Sequence, residues 1–180
     1  RDLPITSHQA VDTLIEEVLK VAPMHPVHHY RIHLWDGEKP KRALDSAAKC
    51  GQSAPGIAHM WHMSGHIFSK LNRYQDAAWQ QEAGTRVDHA HMVRDRVLPD
   101  QIHNYAHNNE WLVRDLSHVG RVRDGIDLAK NMIELPRHPK FNTLDKFGKS
   151  AKLGRLGVME KLQPLELWDQ IIELSQNINM

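Results

Sequence analysis

Apolar residues recur with a helical period along most of the chain. Val11, Leu14 and Val18 share one face of a first amphipathic helix. The pattern predicts that this helix covers residues 7–21 and ends before Pro23. Sustained alternation of apolar and polar residues, which a half-buried strand requires, does not occur. The sequence therefore predicts an all-α protein.

Proline and glycine residues divide the rest of the chain into short helices joined by tight turns. The predicted helices cover residues 27–35, 41–50, 56–71, 74–87, 102–119, 122–135, 142–160 and 164–177. Gly51 and Pro55 are expected to end the helix at 41–50. The polar stretch 88–101 has no clear helical or strand period, so its structure is left open.

Small and aromatic residues within 58–91 follow a fixed spacing. A Trp is followed four positions later by a Gly, then by an aromatic residue, a turn, a Tyr and an Ala; these residues are Trp61, Gly65, Phe68, Tyr74 and Ala77. This spacing resembles the tetratricopeptide repeat, although Gln81 stands where that family has Phe. The resemblance implies a tetratricopeptide-like α-α superhelix, a solenoid of about four helical hairpins.

The small residues also give the period of the expected repeats. Ala43 precedes Ala77 by 34 residues, the tetratricopeptide length, and Gly125 follows Ala77 by 48. The second spacing exceeds the 34-residue period by 14 residues, which predicts a 14-residue insertion near 88–101. The insertion would lie within one repeat domain that covers residues 1–180. Because nothing before Ser7 supplies the first helix of the opening hairpin, we expect the chain to be a piece of a longer protein.

Composition excludes several classes of partner. The 23 Lys and Arg residues balance 22 Asp and Glu residues, so the chain lacks the basic excess that nucleic-acid binding requires. It contains no run of about 18 apolar residues, so a membrane span is not expected. One cysteine, Cys50, cannot form an internal disulfide or a thiolate metal site.

Histidine is the unusual feature of the composition, with 14 residues in 180. Three pairs are spaced four apart on three different predicted helices; they are His29 with His33, His62 with His66, and His103 with His107. A spacing of four places both rings on one helical face, where they can bind the same ion. These six histidines are the predicted metal ligands.

Further polar residues extend the histidine stripes. The tetratricopeptide resemblance implies that first helices line a concave groove and that His59, His62 and His66 face it. A strict 34-residue register selects His25 and His28 in the preceding repeat in place of His29 and His33. The other expected groove residues are Asn104, Glu110, Asp88, His89 and His91.

Three interpretations of the histidines remain open. The rings can pack and hydrogen-bond between helices, they can hold a transition metal such as Zn or Cu, or they can line a groove for a protein or peptide partner. If the metal supported catalysis, as in a redox or hydrolytic enzyme, Glu110 or Asp88 would be the general base. The metal-binding groove of a binding or scaffold module is the preferred hypothesis.

Three strings of residues carry a closer resemblance. They are the segments 28–33 (HHYRIH), 62–68 (HMSGHIF) and 103–104 (HN). They look like strings in a group of bacterial, histidine-rich tetratricopeptide proteins, some of which are fused to thioredoxin-like, peroxiredoxin-type domains. That resemblance implies the fold and no particular reaction.

Overall fold

The computed structural model describes residues 5–102, 104–140, 143 and 148–176. These residues form nine α-helices and no β-strand, so the predicted all-α class is confirmed for the described part of the chain. The helices are α1 (Ile5–Val21), α2 (His28–Trp35), α3 (Leu44–Ser53), α4 (Ala58–Lys70), α5 (Tyr74–Asp95), α6 (Tyr105–His118), α7 (Val122–Glu134), α8 (Ser150–Leu162) and α9 (Trp168–Ser175). Short 3₁₀ turns occupy Pro40–Ala43 and Pro99–Gln101.

Several predicted helix ends differ from the structure. Helix α3 runs through Gly51 to Ser53, because Gly51 lies inside the helix and packs against the Trp61 ring, where a Cβ would stand 2.3 Å from Cε3. Helix α5 continues to Asp95, so the first half of the stretch 88–101 is helical. The predicted helix at 142–160 begins at Ser150 among the described residues.

The chain divides into two compact units, Arg1–Gly84 and Thr85–Met180, and α5 contains the boundary. In the first unit, helices α2, α3 and α4 pack against one another. Their shared apolar core contains Ile32, Trp35, Cys50, Ile67 and Phe68. The small residues predicted for a close helix crossing are buried here: Ala77 is fully buried, and Gly65 leaves no space for a Cβ beside Gln81.

The second unit has its own core between α6, α7 and α8, which includes Val113, Ala129, Met132 and Val158. Gly154 permits the close approach of α8 to α7, because a Cβ at this position would lie 2.6 Å from the Ala129 carbonyl oxygen. None of the described helices combines the length and the apolar character needed to cross a membrane.

Candidate metal centre

Helices α2 and α4 present histidines beside their apolar faces. Ile32 and Trp35 of α2 and Ile67 of α4 enter the core, and this packing fixes the rotation of both helices about their axes. With the apolar residues facing inward, the neighbouring face of each helix carries imidazoles at a spacing of four. The i, i+4 arrangement therefore positions the rings as the sequence predicts.

Three imidazoles of the first unit converge. One ring nitrogen from each of His29, His33 and His59 lies within 4.8 Å of the nitrogens of the other two. The Nε2 atoms of His29 and His33 are 3.0 Å apart. The His59 ring centroid lies 5.0 Å from that of His29 and 6.1 Å from that of His33. We call these three residues the histidine triad.

The triad keeps its central ring neutral. Burial, together with the neighbouring rings of His33 and His59, lowers the pKa of His29 to about 4. A neutral imidazole retains the lone pair that a metal ion needs. At neutral pH the proton therefore competes little with a metal at His29.

The nitrogen spacing suits a tetrahedral ion. Two imidazole nitrogens bound to one zinc at about 2.0–2.1 Å lie roughly 3.3 Å apart. The 3.0 Å separation of the His29 and His33 nitrogens is close to that value, and the third nitrogen lies within 4.8 Å of both. Three nitrogen ligands leave a fourth position open, as in zinc sites that accept an external ligand.

A second pair on α4 has the same internal geometry. The Nε2 atoms of His62 and His66 are 2.8 Å apart, and their ring centroids lie 4.5 Å apart at an interplanar angle of 82°. The centroids of His29 and His33 show the same 4.5 Å and 82°. The His62 Nδ1 lies 2.7 Å from the Oε1 of Gln81 on α5. An amide oxygen only accepts, so Nδ1 carries the proton of His62.

His28 and His25, the pair that the strict 34-residue register selects, have different roles. His28 is 2% exposed; its Nε2 donates to the Pro23 carbonyl at 2.9 Å, and its Nδ1 accepts from the Ser46 hydroxyl at 3.0 Å. Burial lowers the pKa of His28, which keeps this ring neutral. His25 accepts a hydrogen bond from the Val27 amide at its Nδ1. The structure therefore brings His29 and His33, and not the pair selected by the strict register, to His59.

The remaining predicted ligands and groove residues belong to the second unit. His107 contacts Glu110 at 3.1 Å, and Arg114 donates to the other oxygen of that carboxylate at 3.0 Å. His91 contacts Asp95 at 3.0 Å. His103 lies outside the described residues, and Asn104 precedes the first residue of α6.

Asp88 and His89 are neighbours in sequence with different surroundings. Asp88 is buried and accepts a hydrogen bond of 2.8 Å from Asn108. Burial raises its pKa to about 6. His89 is exposed at a cavity of about 540 Å³ within the second unit, whose lining includes Arg86, Tyr105 and Asn131.

The raised pKa of Asp88 gives a testable dependence of stability on pH. The folded pKa of about 6 exceeds the ordinary 3.8, so the stabilisation from protonation is complete below about pH 4 and is lost as the pH rises through 6. Asp88→Asn removes the buried charge and keeps an acceptor for Asn108. We expect it to raise the free energy of unfolding by roughly 2 kcal/mol at pH 7, with little change at pH 4, in urea titrations.

Asp95→Asn is the control for this prediction. Hydrogen bonding to Arg94 lowers the pKa of the exposed Asp95, so its charge stabilises the fold at neutral pH and this contribution disappears on acidification. The two substitutions should therefore change stability at pH 7 in opposite directions. Destabilisation by Asp88→Asn at pH 7 would show that the Asp88 charge itself is needed by the fold.

Two residues near the histidines of the first unit are not among the ligands that the sequence predicts. The repeat resemblance places His59 in the groove, although positions 59, 62 and 66 share one helical face. Gln81 is recognisable in the sequence only as a departure from the repeat pattern. A polar residue at a position where a family buries an aromatic one is the signal that could have identified it.

Comparison with known proteins gives no relative from which a role can be transferred. Neither a family model, nor a curated protein, nor a solved structure matches the chain. The chemistry of the histidine triad is consequently the basis for assigning a function. The described residues thus form an all-helical protein with a histidine cluster able to hold a metal ion.

Proposed function

We propose that this protein is a tetratricopeptide-like binding module that holds a transition metal ion in a histidine-lined groove. The observation that carries the proposal is the convergence of His29, His33 and His59, whose ring nitrogens lie within 4.8 Å of one another. The triad contributes nitrogen ligands only, a set that suits Zn, Cu or Ni better than Mg or Ca.

The open fourth position connects metal binding with partner binding. Three imidazoles fix the ion but do not complete a tetrahedral shell. A histidine, cysteine or carboxylate side chain of a peptide partner could occupy the remaining position. His33 is exposed, so the edge of the triad is accessible to such a group. In this role the ion acts as a recognition element of the groove.

The repeat pattern supports the module part of the proposal. Trp61, Gly65 and Phe68 lie on α4, and Tyr74 and Ala77 begin α5, so the family spacing coincides with a helix, a turn and a second helix. Gly65 and Ala77 are both buried, as expected for small residues at a helix crossing. The proposed metal ligands lie on α2 and α4, the first helices of their predicted hairpins. In the tetratricopeptide family, first helices are the ones expected to line the groove.

The test is zinc and copper content by plasma mass spectrometry after loading and desalting, with affinities from calorimetry. We expect His29→Ala/His33→Ala to lose one equivalent of tightly bound metal. The matched control, His89→Ala/His91→Ala, removes two exposed histidines of the second unit and should retain all of it. Equal metal content in both variants would contradict the assignment of the triad, and wild-type protein without bound metal would exclude the proposal.

A further inference from the structure

We infer that the first unit binds a second metal ion at His62 and His66 and that Gln81 is the positioning residue of this site. The inference rests on the proposed function for the class of metal but concerns different ligands. Neither His62 nor His66 belongs to the histidine triad. Gln81, on a separate helix, would not contact the ion.

The first support is the repetition of the pair geometry. His29 and His33 on α2 correspond to His62 and His66 on α4 at a constant offset of 33 residues. The nitrogen separations are 3.0 and 2.8 Å, and both ring pairs have centroids 4.5 Å apart at 82°. Both pairs therefore present their Nε2 atoms to each other in the same way. If the first geometry holds an ion, the second can do so with the same bond lengths.

The second support is the hydrogen bond that fixes the His62 tautomer. The His62 Nδ1–H donates to the Gln81 Oε1 at 2.7 Å, and the Gln81 Nε2 donates back to the His62 carbonyl at 3.3 Å. The two bonds fix both the amide orientation and the ring. With its proton on Nδ1, His62 has its lone pair on Nε2, the atom that faces His66. Metal-binding histidines are typically oriented by such an acceptor on the other ring nitrogen.

The third support is the burial of the positioning contact. Gln81 is 0% and His62 is 1% exposed, so water does not replace their hydrogen bond. Gly65 provides the necessary space, because a Cβ there would stand 2.3 Å from the Gln81 Nε2. His66 is only half-buried, so an ion can reach the pair from solvent. The buried Gln81 amide therefore orients the His62 ring.

His59 separates the two sites. Its ring centroid is 6.0 Å from that of His62, with the planes inclined at 30°, and 5.0 Å from that of His29. Since His59 completes the triad, the first unit supplies His62 and His66 to the second ion. This unit thus offers three imidazoles to the first ion and two to the second, so we expect the second ion to bind after the first.

The experiment is a zinc titration by calorimetry of the full chain, with cobalt absorption as an independent count of ions. Wild type is expected to bind two ions with different affinities, and His62→Ala/His66→Ala should lose only the weaker one. Gln81→Leu should weaken the second ion roughly 10–100-fold and leave the first unchanged. Gln81→Glu keeps an acceptor for the Nδ1 proton and should restore the affinity.

The first ion is the internal control for folding, because Gln81 hydrogen-bonds to His62, which is not a ligand of the first ion. Only one ion in wild type, retained by His62→Ala/His66→Ala, would overturn the second site while the proposed function stands. Loss of the first ion alone in His29→Ala/His33→Ala supports two independent sites. Equal affinity of the second ion in Gln81→Leu and wild type would remove the role of Gln81.

Discussion

Replacing Gly65 with alanine should lower the free energy of unfolding by roughly 3 kcal/mol. The new Cβ would stand 2.3 Å from the Nε2 and 2.7 Å from the Cδ of Gln81, whose side chain is fully buried. Overpacking a core typically costs about 1–3 kcal/mol. If Gln81 moves to relieve the clash, the His62 Nδ1–H loses its acceptor, which costs about 1–3 kcal/mol more. The gain in helix propensity, about 1 kcal/mol, offsets part of this sum.

Urea unfolding of Gly65→Ala and three further variants tests the cause as well as the size of this effect. Gly56→Ala is the control, because a Cβ at Gly56 meets no atom within 4 Å, and it should change stability by less than about 0.5 kcal/mol. In the double variant Gly65→Ala/Gln81→Ala the clash disappears. The double variant should therefore be about as stable as Gln81→Ala alone, with a coupling energy of roughly 2 kcal/mol or more. Additive effects would show that Gly65 is needed for another reason.

Helices of this protein were predictable wherever an apolar stripe meets a core. Helices α1, α4 and α7 match the expected segments within about three residues, because apolar periodicity and turn residues act locally. The sequence does not predict the second half of α5, because residues 88–95 are mostly polar and carry no amphipathic stripe. Gly51 was expected to end a helix, yet tertiary packing against Trp61 places it inside one.

The histidine cluster was predictable only in part for a related reason. A spacing of four indicates that two rings share one face of a helix, but it does not indicate which face points to a neighbouring helix. His28 and His29 are adjacent, and the rotation of α2 that buries Ile32 and Trp35 decides which of them meets His59. The partners Gln81 and Ser46 are 19 and 18 residues away from the rings that they orient, so no local pattern identifies them.

His28 and His29 are adjacent in sequence, yet we expect their substitutions to have opposite effects. Replacing His28 should lower stability, and replacing His29 should abolish metal binding. His28→Ala removes a ring that is 2% exposed and hydrogen-bonded at both nitrogens, and it leaves the Pro23 carbonyl and the Ser46 hydroxyl without that partner. The cavity and the lost bonds should lower the free energy of unfolding by roughly 3 kcal/mol. His29→Ala removes a half-buried ring of the histidine triad and should cost about 1 kcal/mol or less in metal-free protein.

Metal binding by the same two variants should show the reverse order. Below its unfolding transition, His28→Ala should bind the first zinc ion with wild-type affinity, because His28 directs its nitrogens to Ser46 and Pro23 and away from the triad. His29→Ala should lose that ion. Ser46→Ala, a smaller change, should lower stability by about 1 kcal/mol without affecting zinc. Loss of zinc in folded His28→Ala, with retention in His29→Ala, would instead select the strict repeat register, because the face of α2 that carries His25 and His28 would then bind the metal.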